Sequence, residues 1–361
     1  MSFRVYHMII GYCLYACTVQ AATVPEVYSV SGKLDNGNVV KVKGSNFGMS
    51  GPRIAIFDEF NRNDGSGTII PLDAPIIGKW SGYGNENRPT YSEYFHSPPS
   101  SMQVVNKRGM QQFRLNFAPT TEIFVSYWVK IPAGYVFPGE KEPFKIPYAS
   151  SWKMSWLMNG DQGYKGRNDV CLPTWMDGYH WGLTGNSGAF PTVHVGGRRG
   201  GQWFEFDKWI RISAWLKAGG DPLEDKGTIY FQALVETVGM HEYSVNKFPL
   251  LRKNTRIFDE SPHWDRINFP GWLRIDSDKT LVVYDDIYVA TDDGAAARVE
   301  IGDAQEYTEC KNLALQIPQK WSNDSISAQV HLGSFARGRR LFLYIFDSNG
   351  NHNAKGFAIE N

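Results

Sequence analysis

The sequence predicts an all-β protein made of antiparallel sandwiches. Short segments alternate apolar and polar residues with period 2, Gly 36 and Pro 19 punctuate them, and 14% of the 361 residues are aromatic. No amphipathic stretch of ordinary helix length breaks the pattern, and no internal repeat is present. A chain of this length forms one large domain or two of ordinary size. Its 37 basic and 37 acidic residues cancel and form no like-charged block, which excludes the basic stripe of a nucleic-acid binder.

The first 21 residues read as a signal peptide. Arg4 and His7 precede the apolar run Met8-Ile9-Ile10-Gly11-Tyr12-Cys13-Leu14-Tyr15-Ala16-Cys17, and small residues follow at Ala21-Ala22. Cleavage is expected after Ala21. The run is too short for a stable membrane span, and no later segment offers one. Leu14-Tyr15-Ala16-Cys17 also resembles a bacterial lipobox, which implies a lipid anchor at Cys17 instead. Both versions place the mature protein outside the cytoplasm: secreted, periplasmic or on the cell surface. Cys171 and Cys310 then remain, and they either pair in the oxidising compartment or stay as two separate buried thiols. No Cys/His group has zinc spacing.

Residues 24–56 predict two strands, Val27-Tyr28-Ser29-Val30 and Val39-Val40-Lys41-Val42, joined through the turn Asp35-Asn36-Gly37. With Gly44-Ser45-Asn46-Phe47-Gly48, this pattern resembles the opening of an IPT/TIG domain, a small immunoglobulin-like sandwich. The later strands of that family do not follow directly. Their likeness is found in 296–361: Ala297–Gly302, the step Trp321-Ser322-Asn323-Asp324-Ser325-Ile326, and the closing Asp347-Ser348-Asn349-Gly350. Together the two pieces have the size of one immunoglobulin-like sandwich, about 100 residues. The expected organisation is a TIG-like sandwich split by an insertion at 57–295. The competing arrangement is a β-extension at each end of one larger sandwich.

Within 57–295, strands are expected at 122–131, 151–158, 209–217, 227–236 and 280–290. Phe57-Asp58-Glu59-Phe60, Ser126-Tyr127-Trp128-Val129-Lys130, Trp209-Ile210-Arg211-Ile212-Ser213-Ala214-Trp215 and Tyr284-Asp285-Asp286-Ile287-Tyr288-Val289 resemble the concanavalin A-like jelly-roll lectins and polysaccharide lyases. The resemblance implies two antiparallel sheets, one concave, with a glycan bound across the concave face.

Alternation sorts the faces of these strands. Ile123, Val125, Tyr127, Val129 and Ile131 form one side, with Ile210, Ile212, Ala214 and Leu216 and with Ile229, Phe231, Ala233 and Val235. The opposite side mixes Trp128, Lys130, Arg211, Trp215, Tyr230 and Gln232. Eleven of the 12 tryptophans fall between Trp80 and Trp272, and an indole offers a flat apolar surface on which a sugar ring stacks. These six residues are therefore the expected glycan-binding face. Trp152, Met154 and Trp156 share a second face, either core or a stacking ladder. Arg198 and Arg199, set between glycine pairs, suit an oxyanion such as a uronate or sulfate, or else cap an exposed hairpin. His180 and His194 lie in the same glycine-rich tract.

Glycoside hydrolysis ordinarily needs two flanking carboxylates. Glu205-Phe206-Asp207 starts like the acidic strand of laminarinase-type jelly rolls, but Lys208, Trp209 and Ile210 follow in place of a third acid, so hydrolysis is not expected. Elimination needs a Tyr, His or Lys to move protons and cationic or amide groups on the uronate carboxylate. Tyr230, His194 and Arg211 are its candidates, with Lys130 and Gln232 in support. Asp58, Glu59, Asp285 and Asp286 are candidate ligands for a structural Ca²⁺, which takes six to eight oxygens. The expected function is a surface glycan-binding protein that recognises a polysaccharide. The alternatives are a polysaccharide lyase acting on uronate-containing glycan and a structural surface or appendage protein.

Overall fold

The computed structural model describes residues 23–62, 64–84, 87–106, 111–132, 152–159, 169–176, 180–184, 193–194, 207–219, 226–248, 250–251, 262–273 and 277–360. Among them there is no α-helix, and every strand pairing is antiparallel. The protein is all-β: a jelly-roll sandwich of two large sheets and a smaller sandwich of two four-stranded sheets.

One large sheet has eight strands. Its path runs Gly239–Phe248, Gly227–Val235, Ile210–Lys217, Glu122–Lys130, Ser277–Thr291, Ser101–Asn106 and Thr90–Ser92, with Arg53–Asp58 also paired to Ser277–Thr291. The facing sheet has nine. Its path is Val193–His194, His180–Thr184, Val170–Met176, Trp156–Met158, Trp264–Phe269, Phe113–Thr120 and Gly82–Tyr83, joined at the side by Trp152–Lys153 and Trp272–Leu273. The chain alternates between layers: Ser101–Asn106 lies in the first, Phe113–Thr120 in the second and Glu122–Lys130 in the first again. Every residue assigned above to the apolar side of the three central strands lies in the core between these layers. Period-2 alternation was sufficient there because each strand is regular and buried on that side.

The segment 151–158 behaves differently. It forms two short strands, Trp152–Lys153 and Trp156–Met158, and the interruption at Met154-Ser155 resets the alternation. Met154 enters the main core while Trp156 packs on the outside with Met158 and Cys171. Met154 and Trp156 therefore do not share a face. The side chain of Trp152 lies outside the described residues.

In the smaller sandwich, Val39–Ser45 pairs with Ser325–Gln329, so the two ends of the chain share one sheet. Its full order is Glu26–Ser31, Val39–Ser45, Ser325–Gln329 and Ile317–Trp321; the facing sheet is Leu313–Leu315, Arg298–Gly302, Arg340–Phe346 and Phe357–Glu360. Val40, Val42, Phe47, Val299, Ile301, Ile326, Leu343 and Ile345 fill one common core. The motif residues meet where the chain leaves for the jelly roll. Trp321 Nε1 donates to the carbonyls of Phe47 and Gly48, both at 3.1 Å. Gly44 is required because a Cβ there would lie 1.9 Å from the Glu26 carbonyl and 2.4 Å from the Phe47 ring.

Candidate functional site

The face expected to bind glycan is closed. The smaller sandwich lies against the outer side of the eight-stranded sheet, and Trp128, Arg211, Trp215 and Gln232 are buried between the two. Trp215 packs with Ala295, Ala296, Leu315 and Ile317, and its Nε1 donates to Glu122. Trp128 packs with Tyr307, Cys310, Leu313 and Phe346. Arg211 makes a two-pronged pair with Glu300 at 3.1 and 3.1 Å, and Arg298 donates to the same carboxylate at 2.6 Å. Tyr230 donates to Glu242, and Gln232 donates to the Tyr230 and Tyr307 hydroxyls. Lys130, at the end of its strand, sits over the Tyr94 ring. The mixture of aromatic and polar groups that suggested a sugar platform is the chemistry of an interdomain interface: apolar anchors, with Arg211 and Arg298 paired to Glu300.

The remaining expectations are settled in part. Arg198 and Arg199 lie outside the described residues, as do the side chains of His180 and His194. Cys171 and Cys310 are separate buried thiols in different clusters, so the disulfide is not formed. The calcium expectation does not fit the four acids. Asp58 accepts from Phe60 N–H and Trp80 Nε1, and Asp285 accepts from the N–H groups of His96, Ser97 and Asp286. Donors aimed at a carboxylate occupy the lone pairs a cation would need. Glu59 pairs with His331, and Asp286 faces His331 and His96. Among the described residues, no group of three or more His, Cys, Asp or Glu side chains has a geometry that would hold a metal ion.

The outer face of the nine-stranded sheet carries a different set. In Phe113–Thr120, Phe113 and Leu115 point into the core, so Arg114 and Asn116 point out. In Trp264–Phe269, Ile267 and Phe269 point in, so Arg266 and Asn268 point out. Register places Arg114, Asn268, Trp156 and Cys171 in one cross-strand row, with Asn116, Arg266 and Met158 in the next. Arg114 and Arg266 are diagonal neighbours, about 7–8 Å apart. Arg266 Nε donates to Asn116 Oδ1 at 2.9 Å. Arg114 Nε and Asn268 Oδ1 are buried with no hydrogen-bond partner among the described residues.

Beside this row, Lys153 Nζ lies 4.7 Å from the Trp156 ring and 4.8 Å from the Trp272 ring. Trp156 Nε1 donates to Asp169 at 2.8 Å, which fixes the indole. Gly271 lets the chain pass between them, since a Cβ there would stand 2.7 Å from Trp156 Cβ and 3.0 Å from Lys153 Cβ. Trp272 is 37% exposed, a high value for an indole. Burial lowers the Lys153 ammonium, with Cys171 and Asp169 nearby acting in the opposite direction. The outer side of the sheet carries two guanidinium groups and two amides, with Lys153 buried between the indoles of Trp156 and the partly exposed Trp272. That chemistry suits an oxyanion attached to a ring with a flat apolar face.

Sequence reading passed over Arg114, Asn116, Arg266, Asn268 and Trp272. The available signal was the repeated alternation Phe-Arg-Leu-Asn at 113–116 and Arg-Ile-Asn-Phe at 266–269, in which the apolar phase turns Arg and Asn outward together.

The sequence matches no protein-family model, and no curated protein matches it. Among solved structures, the chain is similar to a PL-14 alginate lyase from Aplysia kurodai (TM-score 0.41, 16% identity, 63% of this chain and 98% of that one). It is similar also to the cellulose-induced protein Cip1 (TM-score 0.38, 15% identity, 66% and 97%). A third is the botulinum neurotoxin serotype D binding domain (TM-score 0.38, 10% identity, 84% and 73%). At these identities the likeness concerns the fold alone.

Proposed function

We propose that the protein is an exported glycan-binding protein that holds an acidic polysaccharide across the outer face of its nine-stranded sheet. The observation that carries this reading is the register that sets the Arg114 and Arg266 guanidinium groups as diagonal neighbours beside Asn268 and the Trp156 indole. Export rests on the Arg4-to-Ala22 segment, and the smaller sandwich serves as a surface module of TIG type.

A glycan array with the mature chain tests the reading. Uronate-containing or sulfated polymers should bind and neutral glucans should not. Preference for neutral polymers, or binding that survives Arg114→Ala with Arg266→Ala, would refute it.

Elimination is the second reading, in which Lys153, held between the Trp156 and Trp272 rings and lowered by burial, would move the proton. Incubation with alginate, glucuronan and pectate would produce an unsaturated product absorbing in the ultraviolet if this holds, and Lys153→Met would abolish it.

A further inference from the structure

A cluster of histidines and carboxylates joins the two sandwiches at the edge of their interface. Glu59 and Asp286 belong to the jelly roll, and His331 reaches them from the smaller sandwich. Asp286 has φ +47° and lies at a bulge where Asp285 pairs Trp128 but Tyr288 pairs Ser126. The extra residue breaks the alternation and brings both aspartates toward the loop 93–100. Ser97 Oγ donates to Asp286 at 2.5 Å, and His96 Nδ1 lies 3.7 Å from the same carboxylate. The His96 ring stacks on Trp128 with centroids 3.7 Å apart, and Trp209 meets it edge-on. Its Nε2 lies 3.3 Å from Ser334 Oγ of the smaller sandwich.

We propose that this cluster is an acid-sensitive latch: it holds the sandwiches together while His96 is neutral and loosens the contact when His96 is protonated. The argument is one of counter-charge. Asp286 already serves His331, whose other nitrogen is held by Glu59 and whose ring packs edge-on to Phe57. A second imidazolium at His96 would share that carboxylate, next to the His331 cation. The other groups around His96 are Asp285, whose Oδ2 is committed to two backbone N–H groups, the neutral Ser97 and Ser334, the indoles of Trp128 and Trp209, and Glu236.

The charge states agree with this geometry. Burial lowers His96, and His331 opposes the pull of Asp286 and Glu236. Burial alone would lower His331 as well, but Asp286 and Glu59 push it up to about 10. A depressed histidine stabilises above its ordinary value and loses that contribution as pH falls through its folded value. The latch therefore weakens on the acid side, where His331 stays charged.

Cys310 supplies the reporter, since its buried thiol packs in the interface with Trp128 and Tyr344, while Cys171 lies on the far sheet. The full chain is labelled with an aromatic disulfide that reacts in mild acid, from about pH 8 down to about pH 5, the window in which histidine titrates. Peptide mapping separates the two sites, and rates are corrected for thiolate fraction. The opening constant at Cys310 should rise about tenfold for each unit by which His96 is depressed, with little change at Cys171. His96→Phe keeps the stacking on Trp128 and should flatten the rise. An unchanged Cys310 rate in the native chain, or the same rise in His96→Phe, overturns the proposal. Nuclear magnetic resonance titration of His96 in the native chain gives a second check. Its midpoint must coincide with that of the labelling rise, and a separate midpoint overturns the latch.

Discussion

Arg211 of the jelly roll and Glu300 of the smaller sandwich form a buried two-pronged ion pair across the interface, with both N–O contacts at 3.1 Å. Arg298 shares the carboxylate and lies with its guanidinium carbon 3.4 Å from the Phe346 ring centre, and the Tyr307 hydroxyl donates to the second oxygen. One buried acid thus neutralises two buried cations. Glu300→Gln leaves two guanidinium groups unpaired and should cost about 3–5 kcal/mol. Arg211→Met leaves Glu300 with Arg298 and should cost less. Urea unfolding of the two variants checks the order; equal losses would show that the shared carboxylate is not the centre of the triad.

The same group predicts an acid limb of stability. Burial alone would raise Glu300, but Arg211 and Arg298 hold it down to about 2, below its ordinary 4.5. A depressed carboxylate contributes stability that is complete above 4.5 and is lost as pH falls toward 2. His331 sets the opposite limb: raised to about 10, it contributes below its ordinary 6.5, and that contribution disappears as pH rises through 10. Melting temperature against pH should therefore fall on both sides of a maximum, with His96 adding to the acid side. Glu300→Gln should flatten the acid side and His331→Gln the alkaline side.

Much of this architecture was legible in sequence, for physical reasons that also mark the limit. Val125, Ile212 and Phe231 alternate cleanly because their strands are regular, so the main core followed from spacing. Trp128 and Arg211 were placed correctly on the opposite face, but that face meets a second domain. Alternation gives the side of a strand, not what covers it. The break at Met154-Ser155 shifts the phase, which is why Trp156 was grouped with Met154, whereas the acids at 58–59 and 285–286 suggested a cation site because their strands lie side by side, as they do. The outer face of the nine-stranded sheet went unread because Arg114 and Arg266 are distant in sequence, and only the pairing of their strands makes them neighbours.

The two tryptophan environments predict opposite phenotypes. Trp128 is buried between sandwiches and stacked on His96, so Trp128→Ala should destabilise by about 3–5 kcal/mol while leaving glycan affinity of the folded fraction intact. Trp272 is partly exposed over Lys153, so Trp272→Ala should leave the melting temperature within a few degrees and weaken acidic-glycan binding about tenfold or more. Calorimetry and glycan titration on both variants check the contrast. Reversal of the two phenotypes would return the binding face to the eight-stranded sheet.

Two glycines on the outer face of the nine-stranded sheet provide the finest probe. At Gly271 an added Cβ meets Trp156 Cβ at 2.7 Å and the Ser155 carbonyl carbon at 2.8 Å, and neither can swing away. Gly271→Ala should lower both stability and binding. At Gly82 the nearest atom is Arg114 Nη2 at 3.0 Å, the end of a flexible side chain. Gly82→Ala should cost less than about 1 kcal/mol of stability, because Arg114 can move aside. That movement takes the guanidinium from the row with Asn268 and Trp156, so affinity for an acidic glycan should fall severalfold while thermal unfolding stays nearly unchanged. Native affinity in Gly82→Ala would remove Arg114 from the binding surface.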